Sequence, residues 1–359
     1  MEFGYFTLSD NRYPDNPRTP GQLLRDIVAE AAHADRVGLG SVWIGEHHFN
    51  RRGCIPTPSL LLANIAAVAP RVRLAPAVVA LPLHHPIHVA EEWATLDQIS
   101  GGRVEFAMGR GYDSFEYAAF GADFQLSAEM FEEGVDLLWR CWTEPGAFSF
   151  SGRFYSAQNI EVIPKPAQKP FTPTIACFSR YSMDIAAKRR WNIIFAPFAA
   201  GMVFGSLTAA VAAYRSACAA AGTTPGKAKC SYFIHIGDTP AEVEYGRDCL
   251  IRYFTFSGMR PPRSADTGKL PPSMQYYADI YKKLSVLQKE DLDEGSILLG
   301  SPQQIVDALK RVEEAGIEEV ILYFNHGLKP HATVLKQMDR FMAEIAPAFA
   351  RRPALQPAK

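Results

Sequence analysis

No stretch of this 359-residue chain stays apolar for the ~18 residues that a membrane-spanning helix needs, because Pro, His or charge breaks each run first. The first ten residues, Met1 to Asp10, lack a basic leader segment, so the chain is read as cytoplasmic. An excess of either charge is missing too. The 37 Lys and Arg stand against 38 Asp and Glu, a formal charge of -1, which leaves no field to hold a phosphate backbone or an anionic membrane. Neither nucleic acid nor a membrane is therefore an expected partner. Cysteine is sparse: Cys54, Cys141, Cys177, Cys218, Cys230 and Cys249 form no C-x-x-C pair and sit in apolar or helical contexts. They are read as buried thiols rather than disulfides or zinc ligands.

Several familiar motifs are absent as well. No G-x-G-x-x-G follows a strand, and residues 222–228 (GTTPGKA) are one short of a phosphate loop and lack its magnesium-holding hydroxyl. G-x-S-x-G and H-E-x-x-H do not occur. In the string His84-His85-Pro86-Ile87-His88 the proline opens a helix between the histidines, and no clear third ligand follows. No metal is expected there, and these histidines are read as packing, capping or ligand-contact groups.

What is present is an ordinary globular composition, 48% hydrophobic, 21% charged and 11% aromatic. Strand-like runs recur at 2–8, 41–45, 71–79, 103–108, 173–177, 192–196, 230–236 and 319–324, and helical patterns separate nearly all of them. Continuous apolar runs alternating with helices predict parallel strands buried on both faces, and eight such units predict a closed (β/α)8 TIM barrel with insertions. The whole of 1–359 is read as a single barrel domain. Two stretches break the rhythm. Residues 146–166 read as an inserted hairpin turning at Ser151-Gly152, and 257–294 as a lid over the active-site face. Helical segments 58–69 and 87–99 are apolar on faces that an outer helix would keep wet, which points to a homodimer contact.

The chemistry-bearing residues gather where barrel strands end. Glu46, His47, His48 and Phe49 leave the second strand as an acid, two imidazoles and a ring; the imidazoles can move or hold a proton and the acid can fix a tautomer. After the fourth strand come Gly109, Arg110 and Gly111, which suit close backbone approach and bidentate contact with a phosphate, or an ordinary ion pair with Asp113 or Glu116. After the fifth, Ser179 and Ser182 stand at a helix start, a place for helix capping or for an anion.

In order and spacing, Glu2-Phe3-Gly4, Val42 through Phe49, Leu81-Pro82 with His85-Pro86, Leu96 through Arg103, Gly109-Arg110-Gly111, Phe120-Gly121 and Gly300-Ser301-Pro302 resemble the bacterial luciferase-like flavin monooxygenases nearly end to end. The resemblance implies the same barrel and reduced FMN as cofactor. Arg110, Ser179 and Ser182 would hold its phosphate, and a non-proline cis peptide between Ala77 and Val78 would lie beneath its ring. His47, flanked by Glu46 and His48, would stand near the flavin's reacting carbon, where oxygen adds. A separate reductase would supply the reduced flavin. The substrate, an aldehyde, a ketone or another small apolar organic, would meet the aromatic residues Phe6, Trp43, Phe49, Phe195 and Phe198. Residues 257–294 would match the family's mobile loop. The chain departs from luciferase at Gly109, where the catalytic subunit has cysteine, and at Phe178, where it has an acid, so light emission is not implied. Alternatives on the same barrel are a deazaflavin-dependent oxidoreductase and a non-catalytic flavin-binding partner subunit.

Overall fold

The short apolar runs form β1 (Glu2–Thr7), β2 (Ser41–Ile44), β3 (Arg73–Pro76), β4 (Val79–Ala80) and β5 (Ala107–Gly109). A hairpin of β6 (Phe148–Ser151) and β7 (Ser156–Ile160) follows, and then β8 (Thr174–Ala176), β9 (Asn192–Phe195), β10 (Ala228–Ile236), β11 (Ile297–Gly300) and β12 (Glu319–Tyr323). This computed structural model describes residues 1–14, 16–49, 53–257, 270, 274–293, 295 and 297–350. The main sheet runs β3-β2-β1-β12-β10-β9-β8-β5-β4, parallel throughout. It closes because β3 and β4 are pieces of one strand and Leu74 bridges Val104. The expected (β/α)8 barrel is present, and all eight predicted strand regions contribute to it. The sequence reading missed β11, which pairs with the second half of β10.

The helices are α1 (Pro20–Val37), α2 (Pro58–Val68), α3 (Pro86–Ile99), α4 (Ser114–Ala119), α5 (Ser127–Thr143), α6 (Arg180–Arg189), α7 (Pro197–Phe204), α8 (Leu207–Ala220), α9 (Pro240–Ser257), α10 (Gln275–Leu284), α11 (Pro302–Glu314) and α12 (His331–Arg340). Local signals set their ends. Thr19 accepts from the Gln22 N–H at the start of α1, and Gly38 closes it at φ 98°. Among the described residues no single helix is long and apolar enough to cross a membrane; α7 and α8 together are, but a 71° bend separates them and α8 buries Tyr214 and Cys218. All six cysteines are free thiols; five are buried, as expected, and Cys54 is only partly so.

The hairpin differs in one detail. Its turn spans 152–155, closed by Gly152 N–H donating to Tyr155 O at 2.9 Å, so Ser151 is the last strand residue and not part of the turn. The cause is Glu133 on α5, whose carboxylate accepts the N–H groups of Arg153, Phe154 and Tyr155 at 2.7–2.9 Å and draws the turn onto the helix.

Charge fills the lumen's N-terminal end. Lys229 on β10 donates to Glu319 on β12 at 2.6 Å and to Glu105 just before β5. Arg73 on β3 lies 3.1 Å from each carboxylate. Ser41 on β2 donates to Glu319 and accepts from Trp43 Nε1 at 2.9 Å. Burial pushes the Glu105 carboxyl up, helped by the nearby Glu319, whereas at Glu319 the two cations outweigh burial and hold the group below its ordinary value. Removing one partner of such a buried cluster strands the others. Lys229→Met is expected to lower stability by about 3–5 kcal/mol, read from the urea midpoint; a loss below about 1 kcal/mol would rank the cluster with exposed ion pairs instead.

Candidate active site

Side chains alternate along a strand, so the residues that fill the lumen low down repeat two positions later at the C-terminal rim, where a barrel keeps its site. A cavity opens there. Its floor is made of small groups: Ala77, Val78, Gly109 and Ala176. Ala77 and Val78 are joined by a cis peptide, as the family resemblance implied. A Cβ on Gly109 would lie 2.9 Å from Val78 Cγ2 and 3.3 Å from Ala176 Cβ, so glycine keeps this floor flat and open.

Arg110, Ser179 and Ser182 also line the cavity. Ser179 caps α6, its hydroxyl accepting from the Ser182 N–H at 3.3 Å and lying 3.0 Å from the Ser182 hydroxyl. The three predicted phosphate contacts are thus brought together at a helix start, where backbone N–H groups favour an anion. Arg110 donates to Met274 Sδ at 2.7 Å, hydrogen-bonds Tyr276 and lies over the Tyr181 ring. Sequence reasoning offered Asp113 or Glu116 as ion-pair partners; Asp113 caps α4 and Glu116 accepts from the His48 N–H at 2.9 Å.

Glu46 and His47 line the same cavity. His47 Nδ1 lies 3.9 Å from Glu116 Oε1, and His47 also borders a side recess, which His48 and Phe49 line too. His48 reaches the cavity through Glu46, to whose Oε1 its Nε2 donates at 3.0 Å. The same oxygen accepts from His84 Nε2 at 2.7 Å. Sequence reasoning missed this partner, because His84 enters from the loop after β4, 38 positions away. Its neighbour His85 caps α3, one of the roles foreseen for that string.

The ligand atoms of Glu46, His48 and His84 lie within 4.8 Å of one another, the donor set of a divalent-cation site and the one such group among the described residues. This corrects the expectation that those histidines lacked further ligands: two come from the second strand's end. The two imidazole–carboxylate hydrogen bonds also account for the arrangement with protons alone. Burial would push the Glu46 carboxyl up, but the bonds from His48 and His84 outweigh it and hold the group below its ordinary value. At His84 burial pulls the imidazole down, and the Glu46 bond overrides it and raises it.

The predicted aromatic contacts divide. Phe6, Phe195 and Phe198 line the cavity. Trp43 does not: its indole points down the lumen, bonded to Ser41 and lying against Lys229 Nζ at 5.3 Å, and is fully buried. Phe49 lies outside the cavity, 56% exposed, packed on Phe120 at 5.6 Å. Of the expected lid 257–294, residues 258–269, 271–273 and 294 lie outside the described residues. The rest includes α10, which brings Tyr276, Tyr277, Ile280 and Leu284 to the cavity. Tyr277 packs on Tyr112 at 5.0 Å and Tyr276 stacks on Phe178 at 6.3 Å.

A family model described as luciferase-like monooxygenase matches residues 1–319. The chain belongs to that family. It is 24% identical over 345 residues to the oxygenase component of a flavin-dependent trigonelline monooxygenase from Acinetobacter baylyi, covering 93% of this chain and 92% of that protein. An alkanal monooxygenase alpha chain from the Kryptophanaron alfredi symbiont is 26% identical over 195 residues, 54% of each chain. The match thus spans about half the length of several curated relatives, including a 30% identical uncharacterised protein, y4vJ, of Sinorhizobium fredii. Among solved structures, monooxygenase RslO1 of Streptomyces bottropensis superposes with TM-score 0.81 at 24% identity, covering 98% of this chain and all of that one. The FMN complex of the oxygenating constituent of 3,6-diketocamphane monooxygenase from Pseudomonas putida gives 0.76 at 22%, covering 97% and 98%.

The carboxylate shared by two imidazoles yields a pH prediction. A raised His84 stabilises the fold below the ordinary histidine value and loses this effect as pH rises through its folded value; a lowered Glu46 loses its effect as pH falls through its own. The pair's contribution is therefore expected to peak at about pH 5–6. Histidine NMR titration should place His84 above the ordinary range in wild type and lower in Glu46→Gln. Equal values in the two proteins would dismiss the coupling.

Proposed function

We propose that this chain is the oxygenase component of a two-component monooxygenase, taking reduced FMN from a separate reductase and using dioxygen to oxygenate a small apolar organic substrate. One observation carries the reading: a group suited to an anion (Arg110, Ser179, Ser182) and an imidazole–carboxylate pair (His47, Glu46) line one cavity together with the small residues Ala77, Val78, Gly109 and Ala176. These residues fit FMN, since the flat floor suits a planar ring and the start of α6 suits a phosphate. The trigonelline relative's name, an oxygenase component, and the FMN bound in the diketocamphane enzyme support the same reading. Reduced FMN bound there supplies the electrons that activate dioxygen.

The chain's own groups have separate tasks. Arg110 neutralises the phosphate, and the Ser179 and Ser182 hydroxyls orient it. His47 holds or moves a proton at its imidazole, with Glu116 beside it. Glu46, bonded to His48 and His84, keeps a fixed negative charge at the cavity edge. The α10 tyrosines exclude water. The exposed apolar residues Leu60 (73%) and Val68 (48%) on α2, and Ile99 (66%) on α3, support a homodimer, which sedimentation velocity tests directly.

The deciding experiment mixes the protein anaerobically with reduced FMN and then with oxygenated buffer, following flavin reoxidation. Bound FMN is expected to reoxidise at least about tenfold more slowly than free FMN, a difference near 1.4 kcal/mol, with His47→Ala losing most of the delay. Arg110→Ala should weaken FMN by about ten- to hundredfold, the worth of a charge-assisted pair, and leave riboflavin binding little changed. Reoxidation of FMN at its free rate in wild type would sink the oxygenase reading. Binding of a deazaflavin with hydride transfer in its place would move the chain to the alternative branch, which an F420-dependent secondary alcohol dehydrogenase of similar fold (TM-score 0.71, 17% identity) represents.

A further inference from the structure

Strand order divides the cavity into two chemically different halves. Among the described lining residues, the charged groups are Glu46, Arg110 and Glu116, all on β2, β5 or the segments that follow them. The opposite half, built by β9, β10, β12, β1 and α9, lines the cavity without a charge. Its centre is Phe233 on β10. The Phe233 ring lies 5.1 Å from Tyr253, 5.6 Å from Phe254 and 5.3 Å from Tyr323, and Tyr323 in turn lies 5.1 Å from Phe6. Rings packed this way brace one another, so the wall is stiff as well as apolar. Ser231 precedes Phe233 by two positions and faces the cavity beside it, giving this half its aliphatic hydroxyl.

We propose that this aromatic wall is the substrate subsite, and that it takes a neutral, fused-ring aromatic molecule whose hydroxyl or carbonyl faces Ser231. The fate of that molecule rests on the monooxygenase reading; its binding does not. A charged ligand would lose its hydration against this wall with no opposite charge to meet it. A flexible alkyl chain would bury area here but lose internal freedom and gain no ring–ring contact. A rigid aromatic gains edge-to-face and offset contacts with several rings at once, and one polar group on its rim pairs with the serine.

The test is equilibrium binding to the full chain without flavin, using 2-naphthol, decanal and trigonelline as the aromatic, aliphatic and charged probes. 2-Naphthol is expected to bind saturably and at least about tenfold tighter than either of the others. Phe233→Leu keeps an apolar side chain and removes the ring; it should weaken 2-naphthol about two- to tenfold and shift decanal less than about twofold. Ser231→Ala should weaken 2-naphthol more than naphthalene. If Phe233→Leu fails to fold by circular dichroism, Phe254→Leu carries the same comparison. Tighter binding of decanal or trigonelline, or equal weakening of 2-naphthol and decanal by loss of the ring, would overturn the proposal. Reduced FMN is titrated separately: its failure with 2-naphthol binding intact removes the monooxygenase reading and leaves the subsite, and the reverse outcome removes the subsite alone.

Discussion

The buried ion cluster of Arg73, Glu105, Lys229 and Glu319 governs how this barrel is put together. Two cations and two anions come from β3, the lead into β5, β10 and β12, and Ser41 on β2 joins them, so strands from around the barrel meet at one point on its axis. Desolvating these groups is costly, and only their mutual pairing offsets it. A slip of one residue in any contributing strand would turn its charge away from the axis and orphan the rest. The cluster therefore penalises wrong registers far more strongly than a purely apolar core, in which neighbouring apolar residues could exchange places.

Register fixed at the base is register fixed at the rim. With Lys229 turned inward, Ser231 and Phe233 must also face inward; with Glu319 inward, so must Ile321 and Tyr323. On β2 the same alternation turns Trp43 into the lumen, where Ser41 and Lys229 hold its indole toward the cluster, and Glu46 and His47 beyond the strand's end line the cavity. On β3 it runs from Arg73 through Ala75 to Ala77, so the floor begins with small groups. Four positions above the ions the sequence places Ala77 and Gly109 on one side and Phe233 and Tyr323 on the other, which gives the small floor and the aromatic half; the charged groups Glu46, Arg110 and Glu116 lie beyond the strand positions that the alternation fixes.

Much of this was readable from sequence because it is periodic or contiguous. Eight apolar runs, 319–324 among them, marked the strands, and the hydroxyls of Ser179 and Ser182 marked the start of α6. Glu46-His47-His48 stood out because three polar groups in succession at a strand exit need partners. The partners themselves were not readable. His84 and Glu116 come from other units, and nothing local to either says that it turns toward the second strand's end. Trp43 was misassigned for a related reason: alternation tells that a ring faces the lumen but not whether it leans up or down, and the attraction of Lys229 and Ser41 decided that. Tyr276 and Tyr277 lie in an insertion whose composition suggested a cover without saying which rings would meet Arg110 and Tyr112.

The separation between base, polar half and aromatic half bears on how one family can hold different activities. Relatives named for trigonelline and for alkanals match this chain in sequence, and structural neighbours at 24% identity or less superpose on its barrel with TM-scores of 0.81 and 0.76. Replacing Phe233 or Ser231 alters the aromatic wall, yet leaves the ions two and four positions below and Arg110 unchanged. Glu46 has no such freedom, because one of its oxygens serves two imidazoles and its side chain also bounds the cavity. Substitution on β9, β10 and β12 above the ion layer is thus physically cheap for the fold, and substitution at Glu46 or Lys229 is costly.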